Sequence, residues 1–351
     1  MEIYIILGII TSIFAQLAAN TYNRNPISFW LSVSVFIMLP SIIEGCRDTD
    51  VGNDLQVYGN LFFNNASSYD SVVNFLKELD SKEYAYHLLN YFCSRIGGVN
   101  VLLFVAGLIK MLALASTVIH FRKTTIPWLV VFSYMMFSYW DGLSMMRQSL
   151  AISMDMVSLI FLSEKKYIKF AFWVVLGYLF HNSAVFILAI PAIILLSKNK
   201  HGKTIVVSTA VIIYLMASAL FRLISLSGLF ASEKYELYLN SGVASAKTNI
   251  LIMIAYIILA IFVKTKNRDI KFMVFSFAVF GLMCLCLSSI LEVAYRVSFY
   301  FQMPLLFLVP GLIRSAYSKR FRNAAQTGLV FLFLLHIIIA STHGMEATIP
   351  Y

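Results

Sequence analysis

Long apolar runs joined by short polar loops constrain this chain more than any other feature. A run of about 17–23 apolar residues is the length a helix needs to cross a bilayer. A membrane interior allows only helices or closed barrels, because every backbone polar group must be satisfied inside the segment. Twelve runs read as spans: Ile3–Ala19, Ile27–Cys46, Val99–Phe121, Ile126–Tyr139, Leu143–Leu162, Tyr167–Phe180, Ser183–Leu196, Thr204–Phe221, Asn249–Val263, Phe272–Leu291, Val293–Ile313 and Gln326–Ala340. Composition agrees. Of 351 residues 60% are hydrophobic and 13% charged, with mean hydropathy +0.81, against roughly half apolar and a quarter charged in a soluble domain. The expected fold is an all-α polytopic membrane protein, one helical domain of about twelve transmembrane helices. The first run has no basic segment ahead of it and no small-residue cleavage site after it, and reads as an anchor. The sixth and seventh runs are short, and remain open between one re-entrant hairpin and two tilted helices. Pro40, Pro191 and Pro304 fall inside runs, where they kink a helix or mark its end.

The net charge of +10 does not point to nucleic acid, since no basic, aromatic-interleaved surface lies outside the apolar runs. Instead, 17 of the 27 basic residues sit in alternate short loops, accompanied only by Glu164 and Asp269 as acids. By the positive-inside rule those loops are cytoplasmic, which puts both termini and the remaining loops outside. Two outer loops are large. Arg47–Gly98 is acidic, with Asp48, Asp50, Asp54, Asp70, Glu78, Asp80 and Glu83, and Val72, Val73, Leu76 and Leu79 recur near helical spacing within it. Short surface or interfacial helices are expected there. Arg222–Lys247 is rich in Ser, Gly and Tyr and reads as a flexible cover. Cys46 and Cys93 flank the first loop, and a disulfide between them is one reading if that loop lies in an oxidising compartment. Cys284 and Cys286 read as core, and no Cys/His spacing marks a metal site.

Several polar residues then fall on the outer side. Ser144–Asp155 carries Arg147, Gln148 and Asp155; as one helix it places Ser144, Arg147, Ala151, Asp155 and Ser158 on one stripe and Met145, Ile152, Met156 and Leu159 opposite, facing lipid. Arg147 lies about one turn in from the outer end. Asp155 lies two turns deeper and reads as a structural partner for Lys110, these two being the only deep charges. Arg47 and Asp54 follow the second run, His181 ends the sixth, and Arg296 follows the tenth. Three arginines at one interface suit a phosphate or pyrophosphate, because guanidinium is a permanent planar donor that pairs bidentately with such oxyanions. A histidine or carboxylate beside them can take a proton from an incoming hydroxyl.

These residues also carry a resemblance. Arg47-x4-Gly52-x-Asp54-x3-Tyr58, Arg147-Gln148-Ser149-Leu150-Ala151, Phe180-His181-Asn182-Ser183-Ala184 and Tyr295-Arg296 resemble, in order and spacing, motifs of EpsG/Wzy-type polysaccharide polymerases. The acidic Asp48-Thr49-Asp50 ahead of Gly52 makes the first motif a loose match. The resemblance implies O-antigen or exopolysaccharide polymerisation: transfer of a growing glycan from undecaprenyl pyrophosphate to a sugar hydroxyl of the next lipid-linked repeat unit, on the periplasmic face of a bacterial inner membrane. It implies a bundle like the C-type membrane glycosyltransferases, no metal or other cofactor, and a chain-length regulator as protein partner beside the lipid-linked oligosaccharide and membrane lipid. Arg147 and Arg296 are expected on the donor pyrophosphate with Arg47 in support. His181 is the first candidate base and Asp54 the second. Gln148 and Tyr58 contact sugar or hold the others. A lipid-linked oligosaccharide flippase, an O-antigen ligase and a glycan acyltransferase remain alternatives. Clustering at one face favours an enzyme over a transporter, and a long outer loop early in the chain favours a polymerase over a ligase.

Overall fold

A computed structural model of the chain describes residues 2–49, 51–52, 55, 59–79, 81–227 and 246–342. The described residues are almost wholly helical, with one isolated bridge, Thr265 to Ala316, in place of any sheet. Each of the twelve apolar runs is helical over most of its length. Seven helices are long and apolar enough to cross a membrane: Glu2–Thr21, Pro26–Gly45, Val99–Phe121, Gly202–Ala219, Arg268–Leu287, Val293–Ser315 and Lys319–Ile339. Tyr167–Phe180, Asn182–Leu196 and Lys247–Phe262 are apolar but shorter.

The chain divides into two compact units near Ile187–Leu188. The first is built on α1 (Glu2–Thr21), α2 (Pro26–Gly45), α6 (Val99–Phe121), α9 (Met146–Ser163) and α10 (Tyr167–Phe180). Pro26 begins α2 and the Asn25 side chain accepts the Ser28 N–H, which satisfies one donor of the first turn. α6 packs against α1, α2 and α9, and α9 against α10. Small residues permit the α2–α6 approach. A β-carbon on Gly45 would lie 2.8 Å from Phe104 Cβ, and one on Gly107 only 3.1 Å from Ser41 Cα.

The Arg47–Gly98 loop carries three helices: α3 (Asn60–Ser67), α4 (Val72–Lys77) and α5 (Tyr84–Ile96). Its small core is Ala66, Phe75 and Tyr91, with Val72 and Leu79 packed against it. Phe75, and not Val73 as the spacing implied, is the buried anchor of α4; Val73 is exposed. Arg95 lies over the Tyr91 ring, and the Tyr91 hydroxyl donates to Asp70 O. α5 packs on α6 and α10, so the loop is fastened to the helical body.

Four expectations are corrected in this unit. The fourth and fifth runs do not meet at Tyr139–Leu143: α7 (Pro127–Ser133), a π-helical turn Tyr134–Ser138 and α8 (Tyr139–Ser144) form one continuous helical path, and the break falls at Met145. Ser144 therefore closes one helix while Arg147 opens the next, and the two share no stripe. Nor does the opposite side of α9 face lipid as a whole, since Met156 is buried alongside Ala151, Asp155 and Ser158. Lys110 pairs with Glu44 of α2 at 2.6 Å, both fully buried, and not with Asp155. Glu44 is thus a third deep charge, and the Asp155 carboxylate has no hydrogen-bond partner among the described residues. Cys46 and Cys93 carry free thiols, one exposed and one buried; burial pushes the Cys93 thiol up to about 11.

The second unit holds α11 (Ala189–Leu196), α12 (Gly202–Ser227) and the helices Ala246–Phe262, Arg268–Leu287, Glu292–Ser315 and Lys319–Thr342. Arg268–Leu287 packs against all but the last of these. The Asn267 side chain accepts the Ile270 N–H at its start. The middle of the Arg222–Lys247 loop, expected as a cover, lies outside the described residues.

Candidate functional site

The site is assembled in the first unit at the ends of four segments. Arg47 lies just beyond the C-terminus of α2, Glu83 immediately precedes α5, Arg147 occupies the first turn of α9, and His181 follows the C-terminus of α10. Glu83 joins three of these segments. Arg147 Nη1 donates to Glu83 Oε2 at 2.8 Å, and Glu83 Oε1 lies 3.7 Å from His181 Nδ1. The Glu83 side chain is only 7% exposed, against 20% for Arg147 and for His181. The Arg147 guanidinium also lies 5.5 Å from the Phe62 ring centre, a cation–π contact from the outer loop.

His181 Nδ1 receives the Ser183 backbone N–H at 3.2 Å and lies 3.1 Å from the Ser183 hydroxyl. This turn is the start of the 3-10 segment Asn182–Leu188, so the Phe180–Ala184 motif is read here as a device that fixes an imidazole. His87, one turn into α5 from Glu83, packs edge-on to Phe62 at 5.2 Å. Burial lowers its pKa below the ordinary histidine value, with Glu83 opposing that shift and Arg147 adding to it.

Arg47 is 5% exposed. Its Nη1 donates to Leu143 O at 2.8 Å, while its Nε and Nη2 have no partner among the described residues. Beside it Lys110 Nζ reaches Gly142 O at 3.4 Å. Two cations thus meet the last carbonyls of α8, the end of a helix where positive charge is favoured. Gly52 completes the contact. Its φ of +101° suits glycine, and a β-carbon there would lie 2.5 Å from Leu143 O. The first motif therefore places an arginine and a glycine against one peptide at the α8–α9 break. A buried guanidinium whose second edge has no partner among the described residues can pair with an oxyanion, since burial strengthens the interaction and planar geometry directs it.

The structure brings Arg147 and His181 to one carboxylate and sets Arg47 at the turn from which α9 starts. Gln148 is buried next to Arg147. Asp54 and Tyr58 lie outside the described residues. Arg296 belongs to the second unit, in the first turn of Glu292–Ser315, where its neighbour Tyr295 accepts from Asn249 Nδ2 at 3.4 Å. Glu83, the residue that organises the cluster, was not singled out from the sequence. It is one of seven acids in the outer loop, and only its position just ahead of the helical stretch Tyr84–Ile96 distinguished it. Among the described residues no group of three His, Cys, Asp or Glu is placed to hold a metal ion.

No curated protein and no solved structure matches the chain. A family model described as the EpsG family matches residues 29–351, from early α2 to the C-terminus, and the four motifs read from the sequence all fall within that match. The chain belongs to the EpsG family, and so to membrane proteins of the polysaccharide-polymerase type.

Proposed function

We propose that this protein is a polysaccharide polymerase that transfers a growing glycan from undecaprenyl pyrophosphate to a sugar hydroxyl of the next lipid-linked repeat unit. The observation that carries this reading is the Arg147–Glu83–His181 cluster, together with the buried Arg47 guanidinium, whose Nε and Nη2 have no partner among the described residues. Transfer from a lipid pyrophosphate leaves a multiply charged oxyanion, and pre-placed cations at low dielectric stabilise such a group more than they would in water. Arg147 and Arg296 are assigned to the leaving pyrophosphate, with Arg47 in support. The acceptor hydroxyl is deprotonated at the Glu83–His181 end, and Asp54 is a further candidate base from the sequence. Gln148 and Tyr58 contact sugar.

In this reading the chain crosses a bacterial inner membrane twelve times, in a bundle resembling C-type membrane glycosyltransferases. The basic loops are cytoplasmic, and both termini and the site are periplasmic, where a chain-length regulator acts alongside. The chemistry uses no cofactor.

The test is the glycan banding pattern of a deletion strain with the gene restored as wild type or Arg147→Ala. Loss of the gene is expected to leave only single-repeat product. Wild type restores the ladder and Arg147→Ala does not, at equal membrane abundance. A deletion strain with no repeat-bearing product indicates a flippase or ligase, and an unchanged ladder refutes polymerisation.

A further inference from the structure

The donors around His181 fix which of its atoms can accept a proton. A backbone N–H only donates, so the Ser183 N–H at 3.2 Å occupies the Nδ1 lone pair. A neutral imidazole with an accepting Nδ1 carries its hydrogen on Nε2. Glu83 Oε1, 3.7 Å from the same Nδ1, is too distant for a hydrogen bond and requires no proton there. In this state His181 has one nitrogen engaged and the other donating, and neither is a base. Glu83 is placed differently. Its Oε2 is held by Arg147 at 2.8 Å, and its Oε1 accepts no hydrogen bond among the described residues.

We infer that Glu83, and not His181, accepts the proton of the acceptor hydroxyl, and that His181 acts as an Nε2–H donor. The inference rests on the polymerase reading. In the step, the acceptor oxygen forms a bond to the anomeric carbon of the donor glycan. The bond from that carbon to the pyrophosphate oxygen breaks, and its electron pair leaves with the undecaprenyl pyrophosphate. The hydroxyl proton passes to Glu83 Oε1 and later to water. The Arg147 contact aims the carboxylate, so one arginine serves both the base and the leaving group.

The test uses the full-length protein reconstituted in liposomes, with lipid-linked repeat units isolated from a deletion strain. Rates are normalised to protein that binds the donor, so that misfolded material is not counted. Glu83→Gln keeps an oxygen for Arg147 but cannot take a proton, and is expected to bind donor normally while losing about 10²–10⁴-fold in rate, the usual contribution of a general base. Formate should restore part of the rate to Glu83→Ala and none to Glu83→Gln. His181→Gln, which keeps an N–H donor, should retain far more activity than His181→Leu. A Glu83→Gln rate within about tenfold of wild type overturns the assignment, as does failure of formate to rescue Glu83→Ala. Both outcomes leave the polymerase reading intact. Wild-type protein that makes no polymer overturns that reading and this one together.

Discussion

The Lys110–Glu44 pair permits a quantitative test of what holds the first unit together. Both groups are 1% exposed, their N···O separation is 2.6 Å, and the ammonium also reaches Gly142 O. At an effective dielectric of about 20 their mutual attraction is roughly 6 kcal/mol, most of it offsetting the cost of burying two ions. The pair therefore contributes little relative to an apolar pair, yet removing one member leaves the other charged, buried and alone. Lys110→Met is expected to destabilise by about 3–5 kcal/mol. Glu44→Gln should fall in the same range. The double variant should lose much less than the sum, with a coupling of at least about 2 kcal/mol. Detergent-titrated unfolding followed by tryptophan fluorescence suits the question, because the four tryptophans (Trp30, Trp128, Trp140 and Trp173) all lie in the first unit. Single-variant losses that add to within about 0.5 kcal/mol in the double variant would refute the pairing.

Three further outcomes follow from the same geometry. Gly52→Ala places a β-carbon 2.5 Å from Leu143 O in a backbone with φ +101°, and should cost about 1–3 kcal/mol and lower polymer yield, read by thermal stability and glycan banding of the same membranes. Asp155→Ala removes a fully buried carboxyl whose oxygens have no partner among the described residues, so stability should stay within about 1 kcal/mol of wild type or rise; a loss above about 3 kcal/mol would show that the carboxylate is paired. His87 has a folded pKa below its ordinary 6.5, so the unfolded chain binds the proton more readily. Its contribution is present above that value and is lost as pH falls through the folded pKa. Hydrogen-exchange protection of α5 should therefore weaken on acidification, and His87→Phe should flatten that dependence.

What the sequence revealed, and what it hid, divides along a physical line. Membrane helices are legible because a bilayer demands apolar length, and each run from Ile3–Ala19 to Gln326–Ala340 forms helix. Loop charge grouped Arg147 with His181 in the sequence, and the two meet at Glu83. Pairings between helices were not legible, because a helix records its own period and not its neighbour's register. Lys110 and Asp155 were matched by depth, whereas Gly107 lets α2 close on α6 until Glu44 reaches the ammonium first. The break at Met145 escaped for a related reason: Tyr139–Ser144 has the composition of either helix, and the stop is made by tertiary contacts, with Arg47 and Lys110 meeting the Leu143 and Gly142 carbonyls. Glu83 was hidden because acids in a solvated loop are common, and only the packing of α5 on α6 and α10 distinguishes it. An acid that is ordinary in sequence becomes the centre of the cluster once a soluble-looking loop is fastened to the membrane body. A site of this kind lies at the joint between two regimes, with arginines supplied by membrane helices and the carboxylate by the loop. The Arg47–Gly98 loop therefore supplies the carboxylate at the centre of the cluster, and replacing α3–α5 with a flexible linker should abolish polymer formation even where every apolar helix is retained.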